Sequence, residues 1–316
     1  MLNRRLIRIK VFKVLYSVVT SGSDSVKEAE KTLMYSCEKT LHLYYFILNA
    51  AVALQNAAEN RIETGLKKFN PSPEERNPNR KFAENQVSAY LGQDPRFMKY
   101  CADHGLVWTE DLAVFVKKLF NAVSAKEYFK EYMETEARSM AQDCDLFIKI
   151  FSDPELFEDN EDLESFLEDM SMFWIDDLGY VLNVIVRNLE LLRHKGSMPL
   201  PDVFLKDDDR EFAVELLRAA MAGYDKYMDI VVSNTSNWDP DRVVTTDLVL
   251  IVQGVAEAVR FPNIPLKVTI NEYVDISKFY STNNSKVFVN GLLDRILRKM
   301  VDTGDIVKSG RGLIDN

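Results

Sequence analysis

Phe288, Leu292, Ile296 and Met300 recur every four residues near the C-terminal end, with Val289, Leu293 and Leu297 beside them. That spacing predicts the apolar stripe of one helix, and Ser285 stands where an N-cap belongs. The stripe runs through Asn290-Gly291, a pair that favours a two-residue hairpin turn in other settings. A glycine inside a helix costs about 1 kcal/mol against alanine. Gly291 therefore calls for a reason, and close approach of a neighbouring helix is the one expected here.

The same period runs through most of the chain. Ile7, Val11, Val14 and Leu15 make the stripe of a first helix over 3–20, with Arg4, Arg8 and Arg5 on its other faces. SGSDS (21–25) is a loop, and 26–67 predicts two helices. A polar break with prolines follows at 70–80, then several helices over 81–149 interrupted near Gly92, Gly105 and Ser124. The acidic stretch 153–164 predicts a surface linker or cap, and 170–193 an apolar helical run holding Trp174 and Tyr180. HKGSMPLPD (194–202) is the sharpest boundary, a glycine stop followed by two prolines. Beyond it a helix opens on acids, which favour a helix N-terminus, and carries the stripe Phe212, Leu216, Leu217 and Met221. A turn at Asp239-Pro240 precedes DRVVTTDLVLIVQGVAEAV. FPNIPLK is a loop, VTINEYVDISKFY another helix, and the tail DTGDIVKSGRGLIDN is expected to be partly disordered. The reading is all-α, in three parts: an N-terminal helical subdomain 1–200, a C-terminal helical bundle 201–302, and a tail 303–316.

Composition agrees with this. In 316 residues there are only 12 Gly and 10 Pro, and 47% of the chain is hydrophobic, enough for a sizeable core. Leu41 to Ala58 carries no formal charge, but it holds His42, Asn49, Gln55 and Asn56, which points to a buried helix and not a membrane span. Cys37, Cys101 and Cys144 are isolated, which suits a reducing, cytoplasmic setting.

Charge changes the picture. The net charge of -10 argues against nucleic-acid binding by the whole surface. Yet the first 23 residues hold Arg4, Arg5, Arg8, Lys10 and Lys13 and no acid, whereas 151–170 holds nine acids and no base. The basic helix is open to two readings, a solvated face or a local phosphate site, for which the planar guanidinium fork is suited. Catalytic motifs are missing. There is no phosphate-binding glycine loop, HExxH or CxxC, and the only GxG is Gly310-Arg311-Gly312 in the tail. Neither an enzyme nor a cofactor is expected.

Three stretches, DRVVTTDLVLIVQGVAEAV, IPLKVTINEYVDISKFY and NSKVFVNGLLDRI, resemble the NusB family of transcription antitermination factors. The N-terminal RRLIRIKVFKVLYS is similar to that family's arginine-rich first helix. The resemblance covers roughly 203–301 and about twenty N-terminal residues. Family members are about half this length, so the resemblance implies a large helical insertion over roughly 25–200. The implied fold is a pair of small helical bundles. The implied role is binding single-stranded boxA-like RNA of ribosomal RNA transcripts, together with the small-subunit ribosomal protein NusE, in a transcription elongation complex. By resemblance Arg4, Arg5, Arg8, Asn284, Ser285, Lys286 and Phe288 meet RNA, and Tyr16 and Asp247 meet NusE. Self-association through the NusE surface, giving a homodimer, is also implied.

Three of these residues have a second reading. Phe288 suits core packing as well as base stacking, Asp247 a helix-start acid, and Tyr16 a core tyrosine. Leu6 interrupts the basic run, and neutral Asn284 stands where an acid is expected, which implies modest affinity for RNA alone. The competing functional readings are a non-catalytic protein–protein scaffold working through its acidic insert, and a ribosome-biogenesis RNA-binding protein built on the same fold.

Overall fold

The structure, a computed structural model, describes residues 1–109, 112–235 and 244–313. It is all-α, and its only β pairing among the described residues is an isolated bridge between Leu2 and Phe204. The turn expected at Asp239-Pro240 lies outside the described residues.

The chain divides into two compact units. One comprises Met1 with Glu38–Val203, and the other Leu2–Cys37 with the chain from Phe204 onward. The basic first helix thus groups with the C-terminal helices, not with the N-terminal subdomain in which the linear partition had put it. A contact far apart in sequence does this: Leu205 N–H donates to Leu2 C=O at 3.1 Å.

The second unit is built on α13 (Thr245–Arg260), which touches α1 (Arg4–Ser21), α11 (Asp209–Ala222), α12 (Tyr224–Ser233), α14 (Leu266–Tyr280) and α15 (Ser285–Asp302). Every residue from Val249 to Ala258 is buried, the pattern of a helix surrounded by others. Close approach is met at Gly254, not at Gly291. A Cβ on Gly254 would lie 2.9 Å from Leu293 Cδ2 and 3.2 Å from Tyr273 Cδ2, whereas one on Gly291 would meet nothing within 4 Å. The cap of α15 is also shifted from the expected Ser285 to Asn284, which makes no side-chain cap bond. The expected single helix after residue 208 breaks at Gly223, where a Cβ would strike the Tyr227 ring at 2.3 Å.

The tail is packed as far as Gly312, where partial disorder was expected. Lys308 Nζ donates to Ala258 C=O at 2.8 Å and Phe261 C=O at 3.2 Å. It thereby supplies a cation to carbonyls at the end of α13. A Cβ on Gly312 would lie 2.0 Å from Pro262 C=O.

Residues 26–66 form one 41-residue helix, α2 (Val26–Leu66), where two were expected, and from Glu38 onward it belongs to the first unit. No proline or glycine interrupts it before Gly65. Its part from Leu41 to Ala58 is the centre of the core. Phe46 stacks on Trp108 at 4.5 Å and Trp174 at 5.5 Å. Both indole N–H groups donate to α2 carbonyls, Trp108 to Phe46 and Trp174 to Lys39, so each ring buries its apolar body with its donor satisfied. The expected interruptions separate α4 (Gln86–Gln93), α5 (Pro95–Asp103), α6 (Ala113–Ala125) and α7 (Glu127–Glu134), and a further break precedes α8 (Met140–Phe151). The acidic stretch is not a mere linker: Leu156, Phe157, Leu163 and Leu167 are buried, the last two on α9 (Glu161–Met170). The apolar run that follows turns helical only from Leu178, as α10 (Leu178–Lys195). No helix of the described residues is long and apolar enough to cross a membrane.

Two of the three histidines, distant in sequence, meet: the His42 and His104 rings lie 4.6 Å apart. No group of three His, Cys, Asp or Glu that would hold a metal ion forms among the described residues.

Two predictions follow from packing. Gly291→Ala should stabilise the chain by about 0.5–1 kcal/mol, and Gly254→Ala should destabilise it by about 1–3 kcal/mol; urea denaturation of both variants checks the opposite signs. Burial, then His104 and Lys39, hold His42 down to about 4. The unfolded imidazole takes a proton near 6.5, so the unfolded state binds more protons between those values. Stability should therefore fall as pH drops from about 6.5 toward 4, and His42→Gln should flatten melting temperature against pH in that window.

Candidate nucleic-acid interface

The α1 N-terminus has no acid in its first turn, so Arg4 and Arg5 oppose the helix dipole. Acids from other helices compensate. Arg4 Nη2 lies 2.7 Å from Asp208 Oδ2 and its Nε 3.1 Å from Asp209 Oδ1, with its guanidinium 4.7 Å from the Phe212 ring centroid. Arg5 grips Glu272 with two bonds of 3.0 Å and Asp275 with one of 2.9 Å. Its pKa is raised, first by the Glu272 hydrogen bond. Asp275 is held below the ordinary carboxylate range, first by its bond to Lys278.

Arg8 is a different case. Its side chain is 4% exposed and its partner Glu257 wholly buried. Arg8 Nε donates to Glu257 Oε2 at 2.6 Å and Nη2 to Oε1 at 2.9 Å. Thr269 Oγ1 and the Tyr273 hydroxyl complete the carboxylate's partners at 2.9 and 3.1 Å. Burial tends to lower the Arg8 pKa, but the Glu257 charge and hydrogen bond outweigh it and the pKa is raised. Burial, with Glu257 adding to it, raises the Tyr273 pKa well above the usual tyrosine value, so its hydroxyl is the donor. Gln253 Nε2 donates to Arg8 C=O at 3.0 Å.

Of the residues assigned to RNA, Arg5, Asn284 and Lys286 are exposed and Arg4 is half-buried. Arg8, Ser285 and Phe288 are 3%, 2% and 6% exposed. These three need correction as contact residues, because a side chain sealed in the bundle cannot reach a strand outside it. Ser285 Oγ instead donates to Asp247 Oδ2 at 2.7 Å and accepts from Thr282 N–H at 3.2 Å. It thereby ties the 281–284 link to the start of α13. Asp247, assigned to the protein partner, is itself 1% exposed. The residues expected at an RNA site and a protein site are thus joined in one buried hydrogen bond. Tyr16 is half-buried, its ring 6.1 Å from Phe12.

The sequence reading missed the acids facing α1, since helix spacing says nothing about which helices meet. It also missed Phe279, an 83% exposed aromatic. A signal was available for Phe279: it falls off the buried stripe Thr269, Ile270, Tyr273, Ile276 and Ser277.

The second unit is thus an all-helical bundle around a buried central helix, with a basic helix clamped onto it by acids. Residues 193–298 match the family model described as the NusB family. The Transcription antitermination protein NusB of Salinibacter ruber is 36% identical over 105 residues, 33% of this chain and 66% of that protein. That of Chloroherpeton thalassium is 32% identical over 121 residues, 38% of this chain and 57% of that protein. That of Syntrophotalea carbinolica is 36% identical over 89 residues, 28% of this chain and 57% of that protein. The chain therefore carries a NusB-family domain at 193–298, and spans less than two thirds of the length of each of these relatives. No solved structure matches the chain.

Breaking the buried pair tests its weight. Glu257→Gln removes the bidentate counter-charge of Arg8 and leaves it only Glu272 at 3.7 Å; it should cost about 3–5 kcal/mol, while the double variant Arg8→Met/Glu257→Met should recover much of that loss. Chemical denaturation of the single and double variants gives both numbers.

Proposed function

We propose that this chain is an RNA-binding transcription antitermination factor, recognising boxA-like single-stranded RNA together with NusE as part of an elongation complex. The observation that carries this reading is that the NusB-family match from Phe204 onward and the arginine-bearing α1, which lies outside the matched residues, meet in one compact unit. The relatives' name, transcription antitermination protein, supports the general role. Arg4, Arg5 and Lys286 are the contacts favoured by exposure, with Asn284 at the head of α15. Arg8 and Ser285 are positioning residues that hold α1 and the 281–284 link. The half-buried Tyr16 is the contact we assign to NusE. The Glu38–Val203 unit, with its own aromatic core, is read as an insertion.

The paired state of Arg4 and Arg5 shapes the expected affinity. A phosphate must replace Asp208 and Asp209 around Arg4, and Glu272 and Asp275 around Arg5. The Arg4–Asp208 and Arg5–Asp275 pairs are partly exposed and pairs of this kind hold by only about 0–1 kcal/mol, so a phosphate accepting a bidentate bond competes with them; Asp209 and Glu272 are more buried and cost more to leave unpaired. Binding to RNA alone should be modest, and a partner that supplies further contacts should strengthen it.

The test is binding of a boxA-like single-stranded RNA across a salt series, with and without NusE. Arg4→Ala/Arg5→Ala should weaken binding and reduce the slope of log affinity against log salt by roughly 0.7 per lost phosphate contact. An unchanged slope would remove α1 from the RNA surface.

A further inference from the structure

The α14 face that meets Arg5 does not end at its two acids. Glu272, Asp275 and Phe279 are spaced three and four residues apart and so share one face of the helix. Phe279 stands 83% exposed one turn beyond Asp275. The neighbouring stretch of α1 follows the same line. Arg5 bonds Glu272 and Asp275, and two turns further on Phe12 packs 5.7 Å from Tyr280, with Lys13 Nζ 5.2 Å over that ring. Lys278 lies beside Phe279, its Nζ on Asp275 at 2.6 Å. Across the 281–284 link, Lys286 is exposed in the first turn of α15 and makes no ion pair among the described residues. Phe288, the aromatic that sequence reading favoured, is turned into the core.

We propose that Phe279 is the platform on which a base of single-stranded RNA stacks. Arg5 and Lys13 on α1, Lys278 on α14 and Lys286 on α15 are the cations assigned to the flanking phosphates. The proposal rests on the RNA reading above and deepens it. Aromatic faces interleaved with cations are the chemistry that takes unpaired nucleotides, because every base has a π-face and every step a phosphate. The immediate sequence neighbours of Phe279 are Lys278 and Tyr280. A cationic setting of this kind suits a polyanion with flat rings better than an apolar protein anchor.

The experiment uses the full chain with a fluorescently labelled boxA-like single-stranded RNA, and an abasic strand of equal length, followed by anisotropy. Phe279→Ala should weaken RNA binding about tenfold, the loss of one stacked base. It should leave the abasic strand and the melting temperature unchanged, since the ring packs against little. Phe279→Trp should bind as the wild type does. If Phe279→Ala binds RNA like a wild type that itself binds, the stacking assignment falls and the RNA reading stands. Equal weakening on both strands also overturns it, as does a loss confined to NusE binding, which would make Phe279 a protein contact. A wild type that binds neither strand, with or without NusE, overturns the RNA reading and this proposal with it.

Discussion

The pairing of Arg8 with Glu257 governs how the second unit is put together. Charges this deeply buried are costly unless almost every lone pair and proton is satisfied, and here Glu257 on α13 accepts four hydrogen bonds from two other helices, α1 and α14. That requirement fixes the depth of α1 against α13 and the rotation of α14 about both. It also explains why α13 is buried on every side, since a carboxylate with no exposure needs neighbours all round to supply donors. Hydrophobic contact alone would tolerate small slides of one helix over another. A bidentate guanidinium–carboxylate pair does not.

The same helix shows how a chain of net charge -10 presents a basic surface. Arg8 is spent inside the bundle, whereas Arg4 and Arg5 lie at the rim with acids as exchangeable partners. Those acids lower the local potential and hold the guanidinium groups in place. In the proposed RNA role they would act as stand-ins for phosphate, so that binding exchanges one set of anions for another. Such a surface selects ligands that offer more than charge, and an exposed ring beside the cations answers to that demand.

The Glu38–Val203 unit has a different construction. Its core is dense in aromatic rings, and Phe46 at its centre is flanked by two indoles whose N–H groups are satisfied on α2 itself. The acidic stretch that reads as a linker contributes buried leucines to this core while its charges face outward. Its many acids are therefore compatible with a folded element, because helical spacing separates them from the leucines that hold it.

Much of this was legible in the chain order. The all-α class, the C-terminal helices, the breaks near Gly92, Gly105 and Ser124, and the resemblance to the NusB family all come from local periodicity and short motifs. These depend only on residues a few positions apart. The single long α2 was read as two helices although no proline or glycine interrupts it before Gly65, and the packed tail was missed because Lys308 finds its carbonyls fifty residues away. The reason for a glycine likewise lay elsewhere, at Gly254. Spacing placed Phe288 and Arg8 on helix faces but could not say which faces would be covered. Burial is decided by the partner helix, and α1 meets α13 and α14 across some 250 residues of chain. Only tertiary packing therefore put Arg8 inside with Glu257, turned Phe288 into the core, and left Phe279 in solvent.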